Sequence, residues 1–186
     1  MQVKTLPANV CATITPHHLA LTIDQAIASS LNFCKPLAQF PSDRAALRAV
    51  IASGHPQFFL GSDSAPHASG AKLPALRVTP TLNGEEEITL PTGCAAGIYT
   101  QPHLVPLVAH VFEASGIPLE RMAGFCSEHG RRFYGVPAKE EDAVVLRRVT
   151  GGKDVPKTYA FKKEAGQKEY VIPFMAGEKL DWEIQA

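Results

Sequence analysis

Apolar and polar positions along this chain follow two different periods. Val10-Cys-Ala-Thr-Ile-Thr15 is a short β-branched run that stops at Pro16, the pattern of a buried strand. From Ser42 to Ser53 the period changes: Ala46, Leu47, Val50 and Ile51 recur at helical spacing. Ser42 is placed to cap that helix, Asp43 to complement the positive end of its dipole, and Gly54 to stop it. Gln57-Phe-Phe-Leu-Gly-Ser62 reads as a second buried strand whose end delivers Asp63. Strand, loop, helix, strand is the order of a parallel crossover, so the pattern predicts an α/β fold.

The stretch from Ser64 to Gly97 shows neither period. Gly70, Pro74, Pro80, Gly84 and Pro91 punctuate it, which predicts a long loop, and long loops are usually functional or disordered. Gln101 to Ser115 predicts a helix with Pro102 in its first turn, and Pro118 opens another that runs to about Ser127. Gly130 and Gly135 interrupt the stretch beyond it. After Pro137 the runs Ala143–Val149, Thr158–Phe161 and Tyr170–Phe174 are short and β-rich, and Asp181–Ile184 reads as a last strand. The expected organisation is a main body over 1–137 with an antiparallel tail, 138–186, packed on it.

Composition narrows the function classes. The 186 residues suit one domain, and 45% are apolar, enough for a sizeable core. Lys and Arg number 18, as do Asp and Glu, so no basic excess is present to neutralise phosphates and no nucleic-acid partner is expected. No apolar run approaches the roughly 20 residues of a membrane-spanning helix. Met1 to Thr15 reads as the approach to a strand rather than a signal peptide. Cys11, Cys34, Cys94 and Cys126 form no C-x-x-C pair; reduced thiols in the cytoplasm are expected, with packing roles for Cys11 and Cys34.

Four segments carry candidate chemistry. Phe59-Leu-Gly-Ser-Asp-Ser-Ala-Pro-His67 runs from an apolar strand into an Asp, small residues and a His. A carboxylate at a strand end can bind a metal or move a proton to and from water, and small neighbours let a substrate approach. The same pattern also fits an Asp capping the next turn with His67 exposed. In Ile14-Thr-Pro-His-His-Leu19 the adjacent histidines point apart, so one is expected to pack and the other to be solvated. Lys35, in Asn32-Phe-Cys-Lys-Pro36, could attract a carboxylate, although an isolated Lys is by default solvated. Thr92-Gly-Cys-Ala-Ala-Gly97 lets backbone come near a ligand or forms an ordinary turn; Cys94 as a nucleophile lacks a local base.

Taken in order, Ala12-Thr-Ile-Thr-Pro-His-His-Leu19, Phe59 to His67, Gly93-Cys-Ala-Ala-Gly97, Phe125-Cys-Ser-Glu-His-Gly-Arg-Arg-Phe-Tyr-Gly-Val-Pro137 and Pro173-Phe-Met-Ala-Gly-Glu178 resemble the C-terminal half of monofunctional zinc dihydroorotases. The Cys-Lys-Pro element and the long loop after His67 look more like the fungal branch than the bacterial one. The resemblance implies a (β/α)8 amidohydrolase barrel of which this chain supplies the last strands and helices, a partial TIM barrel with a β-rich tail. It implies reversible conversion of N-carbamoyl-L-aspartate to L-dihydroorotate in pyrimidine synthesis, with two zinc ions activating a bridging hydroxide, and it implies a homodimer. By resemblance Asp63 contacts the metal and transfers the proton, His67 binds the substrate carboxylate, and the backbone near Lys35 and Ala95 holds the ring edges.

The family's His-x-His pair, carboxylated lysine and two further strand-end histidines all precede the region matched, and this sequence contains no His-x-His. A catalytic zinc normally takes three protein ligands, and a closed barrel of this kind takes roughly 250 residues. The expectation is therefore a chain inactive by itself, with weak zinc binding. The rival expectation, from a different class, is a non-catalytic module that pairs with another chain.

Overall fold

A computed structural model describes residues 2–81, 83–139, 143–162 and 166–185. Two short strands, β1 (Ala12–Ile14) and β2 (Phe58–Leu60), pair in parallel with Ala12 opposite Phe58 and Ile14 opposite Leu60. The crossover between them holds α1 (Pro16–Ala20), α2 (Ile23–Ala28) and α3 (Pro41–Ala52). The strand–helix–strand order read from the sequence is thus present.

Local chemistry explains the helices. Thr15 caps α1, its hydroxyl accepting the His18 N–H at 3.2 Å. The last carbonyls of α1 have no partner within so short a helix, and α3 supplies them. Arg44 donates to the Ala20 carbonyl at 2.7 Å, and Arg48 donates to that of Leu19 at 2.6 and 2.9 Å. In α3 the cap differs from the expected Ser42: Pro41 takes the first position, and the Asp43 carboxylate accepts the Phe40 N–H at 3.1 Å. Proline needs no N–H partner there, so the cap moves from Ser42 to Phe40, two residues earlier. Gly54 ends the helix in the left-handed region, at φ 69°.

The segment between His67 and Gly97 is not a structureless loop. It contains the single-turn α4 (Ser69–Lys72) and an exposed antiparallel hairpin of β3 (Arg77–Pro80) and β4 (Glu86–Thr89). Its strands carry no inward face for a periodicity to report, because every residue in them is exposed. A 3₁₀ turn at Gln101–His103 leads into α5 (Leu104–Ala114). After Pro118 the chain makes a 3₁₀ turn, a π turn at Gly124–Glu128 and then α6 (His129–Tyr134). Gly130 does not interrupt that helix; it lets the helix lie against β2, where a Cβ would stand 3.2 Å from the Phe59 ring. Gly135 stops it, at φ 67°.

The tail is antiparallel, as expected. β5 (Leu146–Asp154) pairs with β8 (Lys179–Ile184), and β6 (Tyr159–Lys162) pairs with β7 (Lys168–Val171). Trp182 of β8 donates its indole N–H to Glu113 of α5 at 3.2 Å, fastening tail to body. The principal core gathers Ile14, Leu19, Val50, Phe58, Leu107, Val108, Phe112 and Phe125, with Leu180 reaching in from β8. All four cysteines are free. Among the described residues no helix is long and apolar enough to cross a membrane.

Six described residues are buried yet polar: Thr15, His17, Thr22, Gln57, Lys72 and Thr100. His17 is fully buried, and neither of its ring nitrogens has a hydrogen-bond partner. Burial, reinforced by neighbouring His18, lowers its pKa from 6.5 to about 3, so the ring stays neutral in the folded chain.

This packing sets two stability measurements. Phe112→Ala removes a fully buried ring whose centroid lies 5.5 Å from that of Phe125. Urea unfolding should show a loss of about 3–5 kcal/mol, and a loss below about 1 kcal/mol would contradict this core. For His17 the unfolded chain binds a proton below about pH 6.5 that the folded chain resists down to about pH 3. Stability from this group is therefore full above pH 6.5 and falls as the pH drops through that window. Replacing His17 with Gln should flatten the fall by up to roughly 1.4 kcal/mol per pH unit; an unchanged slope between pH 4 and 6 would refute the assignment.

Candidate active site

Asp63 stands three residues beyond the end of β2, in the left-handed region at φ 41°, with its side chain exposed. Few residues tolerate that conformation, and Asp is among those enriched in it. Close packing sets the approach: a Cβ on Gly61 would stand 2.6 Å from Thr13 Cβ, so only glycine brings the chain this near β1. Asp63 lines a cavity of about 410 Å³ with Thr13, Thr15, His18, Lys35 and Pro36. The carboxylate therefore opens at the C-terminal end of a parallel strand pair, beside the exposed Lys35.

The backbone of Lys35 is open as well. Neither its N–H nor its carbonyl has a hydrogen-bond partner among the described residues. Such an edge offers a donor and an acceptor to a ligand.

His18, expected to be solvated if His17 packs, is instead held on both sides. Its Nε2 lies 2.8 Å from the Pro36 carbonyl, which can only accept, so Nε2 carries the proton. The Thr15 hydroxyl then donates to Nδ1 at 2.6 Å. The two histidine rings do not point apart either; their centroids lie 4.7 Å from each other. A helical turn begun at Pro16 brings them together.

His67 is half-buried and faces a second cavity, of about 180 Å³, shared with Asn32, Lys72, Gly97 and Tyr99. Its Nε2 bonds the Ala96 carbonyl at 2.9 Å. Gly97, at φ 155°, lies so close that a Cβ would meet the Ala65 carbonyl at 2.6 Å. More of the motif is laced to the same segment. The Ala65 N–H donates to the Ile98 carbonyl at 3.0 Å, and Ser64 Oγ accepts the N–H groups of Thr100 and Gln101 at 3.1 and 3.0 Å. Ala95 is half-buried; its N–H donates to the Ala71 carbonyl at 2.9 Å. The structure thus brings Asp63 and Lys35 to one cavity and His67 to another, with Ala95 on the segment His67 holds.

Whether these residues suit a zinc centre is a matter of donors. Asp63 offers one carboxylate. The potential ligand atoms of His17, His18 and Cys34 lie within 4.8 Å of one another. However, both His18 nitrogens are engaged, and the buried Cys34 thiol donates to the same Pro36 carbonyl at 3.3 Å. Burial raises the Cys34 pKa, and the nearby Asp63 charge adds to the rise, so the thiol keeps its proton. The described residues therefore do not by themselves make a zinc site. Sequence reasoning also missed Lys72, the only lysine among the buried described residues. Nothing in the local pattern distinguishes it from a solvated lysine at a helix end.

Comparison with known proteins places this geometry in a family. No family model matches the chain. A dihydroorotase of Mycosarcoma maydis is 40% identical over 208 residues, covering 98% of this chain and 52% of that protein. The crystal structure of a Saccharomyces cerevisiae dihydroorotase in complex with 5-fluoroorotic acid superposes with a TM-score of 0.73 at 34% identity, covering 97% of this chain and 45% of that one. The chain thus spans about half the length of the first curated relatives it matches. A dihydroorotase of Serratia marcescens is 37% identical over 94% of this chain and 74% of its own length. With a relative matched through most of both sequences, the chain belongs to the dihydroorotase family.

Proposed function

We propose that this chain carries the Asp63 side of a dihydroorotase active site, acting on N-carbamoyl-L-aspartate and L-dihydroorotate together with polypeptide that supplies the remaining metal ligands. One observation carries the reading: the exposed Asp63 carboxylate at the C-terminal end of β2, in a cavity shared with Lys35 and its open backbone edge. Active sites of parallel barrels are built at that end of the strands.

In this reading β1 and β2 are the last two strands of a (β/α)8 barrel, residues 1–137 are its C-terminal portion, and 138–186 are a tail packed on it. The parallel pair and its helical crossover support the assignment. Asp63 takes the proton of the attacking water and returns it to the ring nitrogen as the amide opens, then reverses both transfers on closure. Lys35 holds one edge of the ring through its backbone groups. Ala95 holds another through its carbonyl, an acceptor with a second lone pair. His67, held through Nε2 on the Ala96 carbonyl, binds the substrate carboxylate. The 5-fluoroorotic acid named in the yeast complex is a ring carboxylate of this class. Two zinc ions would supply the activated water in the complete site; Asp63 is this chain's contact to them. A cytoplasmic small-molecule enzyme and a homodimer complete the proposal.

A second reading, an assembly module without chemistry, draws support from the β1–β2 pair, which has no further strand partner among the described residues. Unpaired edges invite pairing with other chains. The two readings share a partner and differ in turnover.

The purified chain should show no measurable ring opening or closure. Mixed with the preceding half of a dihydroorotase relative and zinc, it should gain turnover, and Asp63→Asn should then cost ~10²–10⁴-fold in kcat. Full activity in the mixed Asp63→Asn protein would refute the role of Asp63. Robust turnover by the chain alone would refute the shared site, and a stable complex without turnover would favour the assembly module.

A further inference from the structure

Lys72 ends α4 with 5% of its surface exposed. Its ammonium donates to the Phe33 carbonyl at 2.9 Å and to the Ala95 carbonyl at 3.0 Å. These acceptors lie far apart in sequence, one before the Cys-Lys-Pro element and one inside Gly93–Gly97. The same carbonyl of Phe33 accepts the Gly97 N–H at 2.9 Å, and the Ala95 N–H returns to Ala71, the residue before Lys72. Three segments are therefore tied at one nitrogen.

A buried ammonium is a costly way to fasten loops. Burial lowers the pKa of Lys72, while Cys94 and Cys34 nearby act to raise it. A cation has a property that a neutral apolar plug lacks: it draws two carbonyl oxygens to one point and fixes the distance between their chains. Both chains carry proposed ring contacts. Phe33 stands two residues before Lys35, whose N–H and carbonyl are open, and Ala95 is itself the other contact.

We propose that Lys72 is a positioning residue, which pins the backbone before Lys35 to the backbone at Ala95 and so presets the gap into which a flat ring fits by its edges. The pinning stands on the geometry alone; its service to a ring ligand rests on the dihydroorotase reading of the site. It touches no reacting atom. Because it acts on where the ring sits rather than on proton transfer, its loss falls on substrate binding.

The first test uses the chain itself. Lys72→Met keeps the length and apolarity of the stem and removes the donors. Amide hydrogen exchange at Ala95 and Gly97 should accelerate at least tenfold, while the amides of Val108 and Phe112 in α5 keep their protection. Exchange within twofold of the unmutated chain at Ala95 and Gly97 would overturn the pinning. Should the variant not fold, the unmutated chain still decides. The Lys72 ammonium should give a slowly exchanging nitrogen–proton signal with hydrogen-bond couplings to the Phe33 and Ala95 carbonyl carbons, and absence of those couplings overturns it. The second test uses the chain assembled with a relative's preceding half. Lys72→Met should raise KM about tenfold and leave kcat within threefold; a fall in kcat at constant KM would overturn the positioning role. Failure of the unmutated assembly to turn over refutes the dihydroorotase site and not the pinning, which the exchange data settle independently.

Discussion

Three residues of β1 lie in parallel register with three of β2, and the site depends on that short ladder. Parallel strands cannot be joined by a tight turn, so the chain must cross over through helices, and both strands then end on the same side. Thr15 and Asp63 are placed there by the register alone. The approach is close because Gly61 leaves no side chain between the strands. The core beneath, from Ile14 and Phe58 to Phe112, buries the other side and keeps the pair from sliding.

Above the ladder, the rim is built from backbone carbonyls held by side-chain donors. Arg48 holds Leu19, His18 holds Pro36, His67 holds Ala96 and Lys72 holds Phe33 and Ala95. Each donor reaches from a different part of the chain, so each bond fixes one loop against another. Hydrogen bonds of this sort add modest net stability. Their larger effect is geometric, since a carbonyl left without its donor in a buried place is costly. The rim therefore has few alternatives open to it. The segment that carries Asp63 and His67 is laced along its length to residues 95–101, so the motif and the small-residue segment after the hairpin behave as one unit.

Family membership and site completeness are separate matters here. The relatives named dihydroorotase match almost the whole of this chain but mostly only half of themselves. The donors present agree with that division. One exposed carboxylate stands at the strand end, and in the nearest cluster of histidines and cysteine His18 and Cys34 are already committed to internal hydrogen bonds. The hairpin between His67 and Gly97 is fully exposed along both strands, consistent with an insertion that leaves the core untouched.

The sequence by itself determined the parallel crossover, the antiparallel tail and the motif series that names the family. Those features arise from local periodicity and from residue order, which a linear reading contains. It marked Asp63, Lys35, His67 and Ala95 one segment at a time, and it could not say which of them share a cavity. It was right that one histidine of the pair packs, as His17 does, but not that the two rings diverge, because that depends on the helical turn begun at Pro16. It placed the α3 cap on Ser42, because the preference for Ser there is strong locally, yet Pro41 and Asp43 together form the start. Lys72 was invisible: its partners stand 39 and 23 residues away, and no local pattern encodes a contact between distant carbonyls. Burial and long-range hydrogen bonding are properties of the packed chain, so only the tertiary structure could turn an ordinary lysine into the tie between two loops.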